Sequence, residues 1–504
     1  MSQNLWLKQK TFVAYALMLL ALTEMIDLSI IAVALPQIMG AVGANIEQIA
    51  AITTSYIIMV VIFTPITGMC VRKYGIKRVV IFATILFGTA SMLCGLATTL
   101  AQIILFRIVQ GIGGAFFTPI AQSYLDQNFD EEEKPKVMLV YSCCVVVGPI
   151  LGPVLGGLLT AYLSWRWCFF SNIPLCIISL CIISLFLSNQ KTEIFKIDYL
   201  SFIFMALGLG FLEYFLEKGG EHNWFDSSSI VMIFSISLLF MTFFIWRGFL
   251  GKSVINFELF TQKNFMLISM ITFVMTFLFV SVIAYIPTML QTVYGYPVNI
   301  AAYLTTPLGI SAMLAAPLIL KLSKKIDVRV IAFFSVILLA IFSLGASTLN
   351  QSINTEFIIG IGILEGVGII GLFIPMMAVL FFKLPKHLQN DASGFFNLLR
   401  LLANSLAASF AAYIIAHSQQ TSFHDLVAHV SPYARGYQVW EQKLGLLPQT
   451  IKAMLAQDLI LKQSYLIGFL DLFYICGISM LLLSWIVFLV KAPKPSDNIS
   501  VSLE

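Results

Sequence analysis

The chain has 504 residues, of which 59% are hydrophobic and only 11% charged; its mean hydropathy is +0.93 and its formal net charge +4. Soluble globular domains carry about 25% charged residues, so a soluble fold is excluded and a membrane protein is implied. No nucleic-acid partner is expected from so small a net charge, whose placement along the chain matters more than its size.

Stretches of about 20 apolar residues can cross a bilayer as helices. Fourteen are predicted, at roughly 12–36, 48–70, 78–98, 100–124, 137–160, 165–187, 198–217, 229–249, 265–290, 299–321, 329–348, 355–381, 391–416 and 465–490. The first, from Phe12 to Pro36, is longer than the ~7–15-residue apolar core of a signal peptide and has no small-residue cleavage site, which points to a retained first helix. An even number of spans puts both termini on one side. Lys and Arg cluster on that side, with Arg72, Lys73, Lys77 and Arg78 after the second span and Lys321, Lys324, Lys325 and Arg329 after the tenth, so both termini are expected to be cytoplasmic.

The eight cysteines lie in or at the ends of apolar runs and are expected to be small buried side chains rather than disulfides or metal ligands. The one sizeable extramembrane piece is the outer loop 417–464. Its stretch "PQTIKAMLAQDLILKQ" has helical apolar spacing and predicts an amphipathic helix on the outer surface. The loop's His417, His424 and His429 lack the spacing of a metal site.

Acids and bases inside the spans are the first functional candidates, because a charge at the bilayer centre costs ~2.5–3.5 kcal/mol on insertion scales. In the first span, "LTEMIDLSIIAVALP" places Glu24 and Asp27 on one helical face. Asp27 lies ~13 Å below Pro36 and Arg107 ~10 Å into the fourth span from the same side, depths at which they can pair. A carboxylate balanced between burial and a nearby Arg can bind and release protons, which makes Glu24, Asp27 and Arg107 the expected proton-coupling site. Arg400 in span thirteen and Glu365 in span twelve could form a second pair in the C-terminal half and belong to the proton-coupling candidates, with Glu365 a proton or cation site of its own or half of a local structural pair. Glu213 and Glu217 are expected to snorkel or to face a rim. "DQNFDEEEKPK" (126–136) is a solvated turn whose acids could pair with the basic loop 72–78. Tyr56, Phe116, Phe117, Phe395 and Phe396, with Asn397, are the expected wall of a cavity for apolar ligands.

The chain repeats itself. "RKYGIKR" (72–78) after the second span is echoed by "KKIDVR" (324–329) after the tenth, and "RIVQGIGGAFFTP" (107–119) by "GILEGVGIIGLFIP" (362–375), at nearly the same offset. Two related six-helix halves follow, residues 1–190 and 264–504, with two linking helices in 191–263. Parallel repeats of this kind are a transporter architecture with the substrate site between the halves. The chain contains no Walker loop, nucleophile elbow or HExxH, so neither an enzyme nor ATP drive is expected.

Four strings carry a family resemblance. "DLSIIAVALP" (27–36) resembles the first-helix motif of the fourteen-helix drug:proton antiporters of the major facilitator superfamily, with Ser29 and Ala32 in place of Thr and Asn. "GMCVRKYGIKR" (68–78) resembles their loop motif through Gly68, Lys73, Gly75, Lys77 and Arg78, but Arg72 stands where an aspartate is usual and Lys324 at the matching place in the second half. "RIVQGIGGA" (107–115) matches the fourth-helix motif, including Gln110, Gly111 and Gly113. "GPILGPVLGG" (148–157) matches the antiporter motif through Gly148, Pro149, Gly152, Pro153, Gly156 and Gly157, with Leu139 replacing a further glycine. The order of these strings, with "LEKGGEHNWF" (216–225), "INFELFTQKNF" (255–265), "QTVYGYP" (291–297) and "FFNLLRLLANSLA" (395–407), is similar to that of a multidrug-exporter subfamily.

The resemblance implies an all-α membrane protein with the major facilitator fold. It further implies export of hydrophobic or amphipathic compounds across a bacterial inner membrane, driven by the proton gradient without a cofactor. A periplasmic adaptor and an outer-membrane channel are the implied partners, and the antiporter motif would act as a gate against proton leak. A dedicated exporter of a siderophore or lipid-like product is the alternative, and a non-transporting receptor on the same fold a second.

Overall fold

The structure is a computed structural model that describes residues 2–130, 133–188, 198–220, 224–251, 253–323, 325–350, 355–382, 384–430, 435–445 and 447–492. Glu131, Glu132, Lys324 and the boundary drawn at 190/191 lie outside these residues. Among them no strand occurs. Thirteen helices are long and apolar enough to cross a membrane, or fourteen if one bent by 44° counts as a single span. In chain order they are α1 (Gln9–Val42), α2 (Gln48–Tyr74), α3 (Ile76–Leu96), α4 (Leu100–Asn128), the bent α5 (Lys134–Tyr162), α6 (Arg166–Phe186), α7 (Tyr199–Lys218), α8 (Ser228–Phe249), α9 (Lys263–Thr292), α10 (Tyr303–Ser323), α11 (Val328–Ala346), α12 (Thr355–Met377), α13 (Gln389–Ala428) and α14 (Gln449–Leu489).

Each predicted span coincides with one of these helices, as expected where no water is available to satisfy an open backbone. Their ends carry recognisable stop and start chemistry. Asn45 with Gln48 and Thr99 with Gln102 form capping boxes that open α2 and α4. Gly75, at φ +83°, makes the turn from α2 into α3. Asp327, just outside α11, accepts the Arg329 N–H at 2.9 Å, and the Arg329 side chain holds its carboxyl below the ordinary carboxylate range. The described residues of the predicted outer loop are mostly helix: α13 continues to Ala428, a short helix spans Arg435–Lys443, and "PQTIKAMLAQDLILKQ" is the start of α14 rather than a separate surface helix.

Buried apolar side chains form two large clusters. One draws on α1 to α8 with Leu398, Leu401 and Leu402 from α13; the other runs from Leu259 to Val490. Between the first and last six helices, α5 packs on α10 and α12, and α2 and α4 pack on α13. The pair α7–α8 lies against α2 and α13.

The antiporter motif is the contact face of α5 on α1. A Cβ at Gly148 would meet Met25, at Gly152 the Ser29 side chain, and at Gly156 it would lie 2.9 Å from the Ile30 carbonyl. Small residues one turn apart let the two backbones touch, and Pro149 and Pro153 account for the bend beside residue 150. Gly157 has nothing within 4 Å and takes no part in this contact. Replacing Gly152 by Leu is therefore expected to cost ~1–3 kcal/mol by overpacking, seen as a lowered melting temperature of the detergent-solubilised protein, while Gly157→Ala should melt as the natural chain does.

Candidate functional site

The charged residues inside the first six helices converge on one buried network. Arg107 of α4 is the largest of the fully buried side chains, and Asp27 of α1 is equally excluded from solvent. Arg107 Nη1 donates to Asp27 Oδ2 at 2.6 Å. Asp27 Oδ1 accepts from Gln110 Nε2 at 3.0 Å and from Asn172 Nδ2 at 2.6 Å. Arg107 also donates to Gln110 Oε1 at 2.9 Å and to the Ile52 carbonyl at 3.4 Å, and its guanidinium lies 4.1 Å from the centre of the Tyr56 ring. Ser91 closes the network, accepting from Gln110 and Asn172 and donating to the Phe169 carbonyl. Both Asp27 oxygens are thus engaged by donors of α4 and α6, all within the first six helices. Close packing keeps the network dry: a Cβ at Gly111 would fall 2.6 Å from the Tyr56 carbonyl, and one at Gly113 2.8 Å from that of Ala83.

Glu24, one turn away, has a different environment. The Thr118 hydroxyl and N–H donate to its Oε2 at 2.5 and 3.3 Å, and Tyr141 of α5 donates to the Thr118 carbonyl at 3.4 Å. Arg400 of α13 faces this group from the other six helices, close enough for its charge to act on both Glu24 and Tyr141, without an ion pair within 4.0 Å. The expected Arg400–Glu365 pair does not form among the described residues. Glu365 is buried in α12 with Oε1 unpartnered, and Arg400 Nε is likewise unpartnered. Equal depth does not make two helices neighbours: α12 packs on α10, α11 and α5, α13 on α9, α14, α2 and α4, and Arg400 acts on Glu24 and Tyr141 instead.

A second set of contacts joins the two six-helix groups at the end where α2 stops and α13 starts. Arg72 Nη1 meets Asp391 Oδ2 at 2.5 Å, and the carboxylate rests against Gly68, where any Cβ would collide with it. Gly394 of α13 approaches α2 in return: a Cβ there would lie 2.9 Å from the Thr64 carbonyl. Nearby, Ser393 donates to the Pro119 carbonyl at 2.5 Å, Asn397 to Gln122 Oε1 at 2.7 Å and Gln127 to Asn390 at 3.2 Å. The residue that replaces the usual motif acid thus finds a carboxylate on the facing helix. Of the other loop-motif cations, Lys77 donates to the Ser184 carbonyl at 2.8 Å, Lys73 lies over Tyr74, and Arg78 is exposed.

Several sequence expectations need correction. Tyr56 is stacked under Arg107, and Phe117 packs on Phe87 with ring centres 5.1 Å apart, so both belong to the core of the first group rather than to a cavity wall. Phe116 is buried in the same core, and Phe395 packs on Phe260 and Phe265. Asn397 bonds across the seam to Gln122, whereas Phe396 is buried in the second cluster beside Met377 and Thr272. Glu213 is fully buried rather than snorkelling. Of the acids of 126–136, Asp126 pairs with Lys134 and Glu133 with Lys10 at 2.6 Å. Sequence reasoning missed Ser91, Thr118, Asn172 and Asp391. Asp391, a charge beside a predicted span end, was the one of these with a visible signal.

Residues 17–408 match the family model of the Major Facilitator Superfamily. The chain belongs to that superfamily. It is a multi-pass membrane transporter and not an enzyme. It is 29% identical to the multidrug export protein EmrB of Haemophilus influenzae, over 95% of each chain, and 28% identical to the fatty acid resistance protein FarB of Neisseria gonorrhoeae, over 97% of each. Among solved structures it resembles the human organic anion transporter MFSD10 (TETRAN) with a TM-score of 0.61 at 12% identity, over 94% of this chain and 99% of that one, a likeness of fold alone.

Two predictions follow from the pairing. Asp27→Asn leaves Arg107 buried beside a neutral partner and is expected to destabilise the protein by on the order of 3–5 kcal/mol, against a much smaller loss for Glu24→Gln, both measured by thermal unfolding in detergent. Arg72→Ala strands the buried Asp391 and should also lower the melting temperature by the equivalent of ~3 kcal/mol; Arg72→Lys, which keeps the charge, should recover part of it.

Proposed function

We propose that the protein is a proton-coupled antiporter that exports hydrophobic or amphipathic compounds across a bacterial inner membrane by alternating access, with both termini cytoplasmic. The observation that carries this reading is Glu24, a buried carboxyl of α1 held by the Thr118 hydroxyl and near enough to Arg400 of α13 for the two charges to interact. Ionised Glu24 attracts Arg400, and a proton on Glu24 removes that attraction. Movement of one group against the other changes their separation, so proton affinity differs between the two conformers and protonation biases which is populated. Asp27 and Arg107 move together within one group and serve as the electrostatic frame that holds α1, α4 and α6 in register.

The charge distribution supports the orientation, because the basic segments after the second and tenth spans lie at the end where Arg72 and Asp391 join the groups. On that orientation the joined end is cytoplasmic, and Arg72–Asp391 is the lock that the usual motif acid provides elsewhere. The curved α5–α1 contact is the hinge against proton leak. The proton gradient supplies the energy. A periplasmic adaptor and an outer-membrane channel complete the path, with the helix Arg435–Lys443 and the start of α14 as the docking surface. The relatives' names support a drug as cargo. A second reading, export of one lipid-like product, is favoured by the relative named for fatty acid resistance.

Proton release on adding candidate drugs to energised proteoliposomes tests the proposal. The natural chain should give a drug-triggered signal and Glu24→Gln should lose it while still binding drug. Binding without proton or drug movement in the natural chain would sink the antiporter reading, and competition by a single lipid-like compound alone would favour the second.

A further inference from the structure

The transport reading leaves two buried carboxyls unused, Glu365 on α12 and Glu213, and a facing helix supplies a donor to Glu213. Glu213 lies on α7, in the helix pair inserted between the two groups, and its relative exposure is 0%. Ser405 of α13 donates its hydroxyl to Glu213 Oε1, while Oε2 has no hydrogen-bond partner. One turn along the same face, Glu217 accepts the Thr54 hydroxyl of α2 at 2.6 Å. Just beyond, the Gly220 N–H donates to Ser409 Oγ of α13 at 2.9 Å, and a Cβ at Gly220 would lie 2.8 Å from the Ser409 carbonyl. A single helix is therefore bonded to α2 on one side and to α13 on the other. These are the two helices whose opposite ends Arg72 and Asp391 join.

The surroundings of Glu213 contain little charge. Glu217 is the titratable group whose charge acts on it. Around this part of α7, α2 presents Thr54, Ile58 and Ile62; α13 presents Ser405 and Ser409, with Arg400 more than a turn deeper; and α8 presents Ser237 and Met241. Lys218 ends α7, and no lysine, arginine or histidine forms an ion pair with Glu213 among the described residues. Glu213 lies ~7–8 Å along the helix from Lys218, within reach of the surface at that end.

We infer that Glu213 is a second proton-binding site, separate from Glu24, that ties protonation from the outer surface to the spacing of α2 and α13. The inference rests on the proton-coupled reading above. With α13 in place, Ser405 hydrogen-bonds the carboxylate. When α13 recedes, that bond is lost, and an ionised carboxyl with neither counter-charge nor donor is too costly to keep, so it takes up a proton on one oxygen. A proton site whose hydrogen bonds differ between two conformers biases the equilibrium between them, and the conformers in turn change its affinity for protons.

The test is the dependence of ethidium transport on outer pH in proteoliposomes holding the full chain, for the natural protein, Glu213→Gln and Ser405→Ala. Glu213→Gln should displace the midpoint by about one pH unit or more, or flatten the profile by removing one titration. Ser405→Ala keeps the carboxyl but removes its donor, and should displace the midpoint without flattening the curve. A Glu213→Gln profile that superimposes on the natural one overturns the inference. If that variant transports nothing, the Ser405→Ala profile decides: displaced, it supports the site; superimposed, it overturns it. Transport by the natural chain that ignores the proton gradient overturns the antiporter reading itself, an outcome visible before any variant is compared.

Discussion

A guanidinium that is completely excluded from water can persist inside an apolar bundle only if its charge is met at hydrogen-bond distance, and Arg107 is such a group. Asp27 meets it at 2.6 Å, and the side-chain amides of Gln110 and Asn172 donate to the acid's other oxygen, with Ser91 accepting from both amides. Much of the first six-helix group follows from that requirement. The acid fixes the rotation of α1, the base that of α4, and Asn172 the start of α6 against both. Tyr56 must present its ring to the guanidinium, which brings α2 close enough to α4 that Gly111 can carry no side chain. Buried ion pairs contribute little net stability relative to apolar packing. Their value here is that they permit one arrangement of four helices and penalise every other.

The same economy of space governs where helices slide or separate. On α5 the glycines at 148, 152 and 156 press directly on α1, and two prolines curve the helix around it. Where α2 crosses α13, glycines on both helices, Gly68 and Gly394, allow contact, and the space above Gly68 is taken by the Asp391 carboxylate. Contacts of this kind have no side-chain interdigitation to lock them. On the proposed movement, the α2–α13 contact would be broken and remade between the groups, whereas the α5–α1 contact lies within the first.

Much of this was legible along the chain and little of it around each helix. Hydropathy located all fourteen spans because the bilayer imposes a length. The depths of Asp27 and Arg107 predicted their pairing because a buried charge requires a partner at its own level. Depth gives no azimuth, however. Arg400 and Glu365 sit at similar levels, yet Arg400 is turned toward Glu24 and Tyr141. Tyr56 and Phe117 have the character of cavity-lining aromatics, but their rings are used inside the first group. Asp391 and Glu213 were hidden for a related reason: their partners, Arg72 and Ser405, are remote in sequence, and only the packing of α13 brings them together.

A distinction among the buried acids emerges from where each lies relative to the moving boundary. Every donor to Asp27 belongs to helices that travel with it, so its hydrogen bonds survive any displacement of one group against the other. On the proposed movement, such an acid would keep the same hydrogen-bond partners in both conformers. Glu24 takes its donor from its own group but its opposing charge from the other, and Glu213 takes its donor from α13 while riding on a helix that is also bonded to α2 through Glu217. For these two, displacement itself alters the local field or the hydrogen bonding. A proton can do work on a conformational equilibrium only at a site of that kind, because the free energy available is the difference in its binding to the two states and nothing more. Saturation with donors and confinement to one group mark an acid as structural. An incomplete set of donors at a seam is what the proposed coupling of proton movement to helix movement requires.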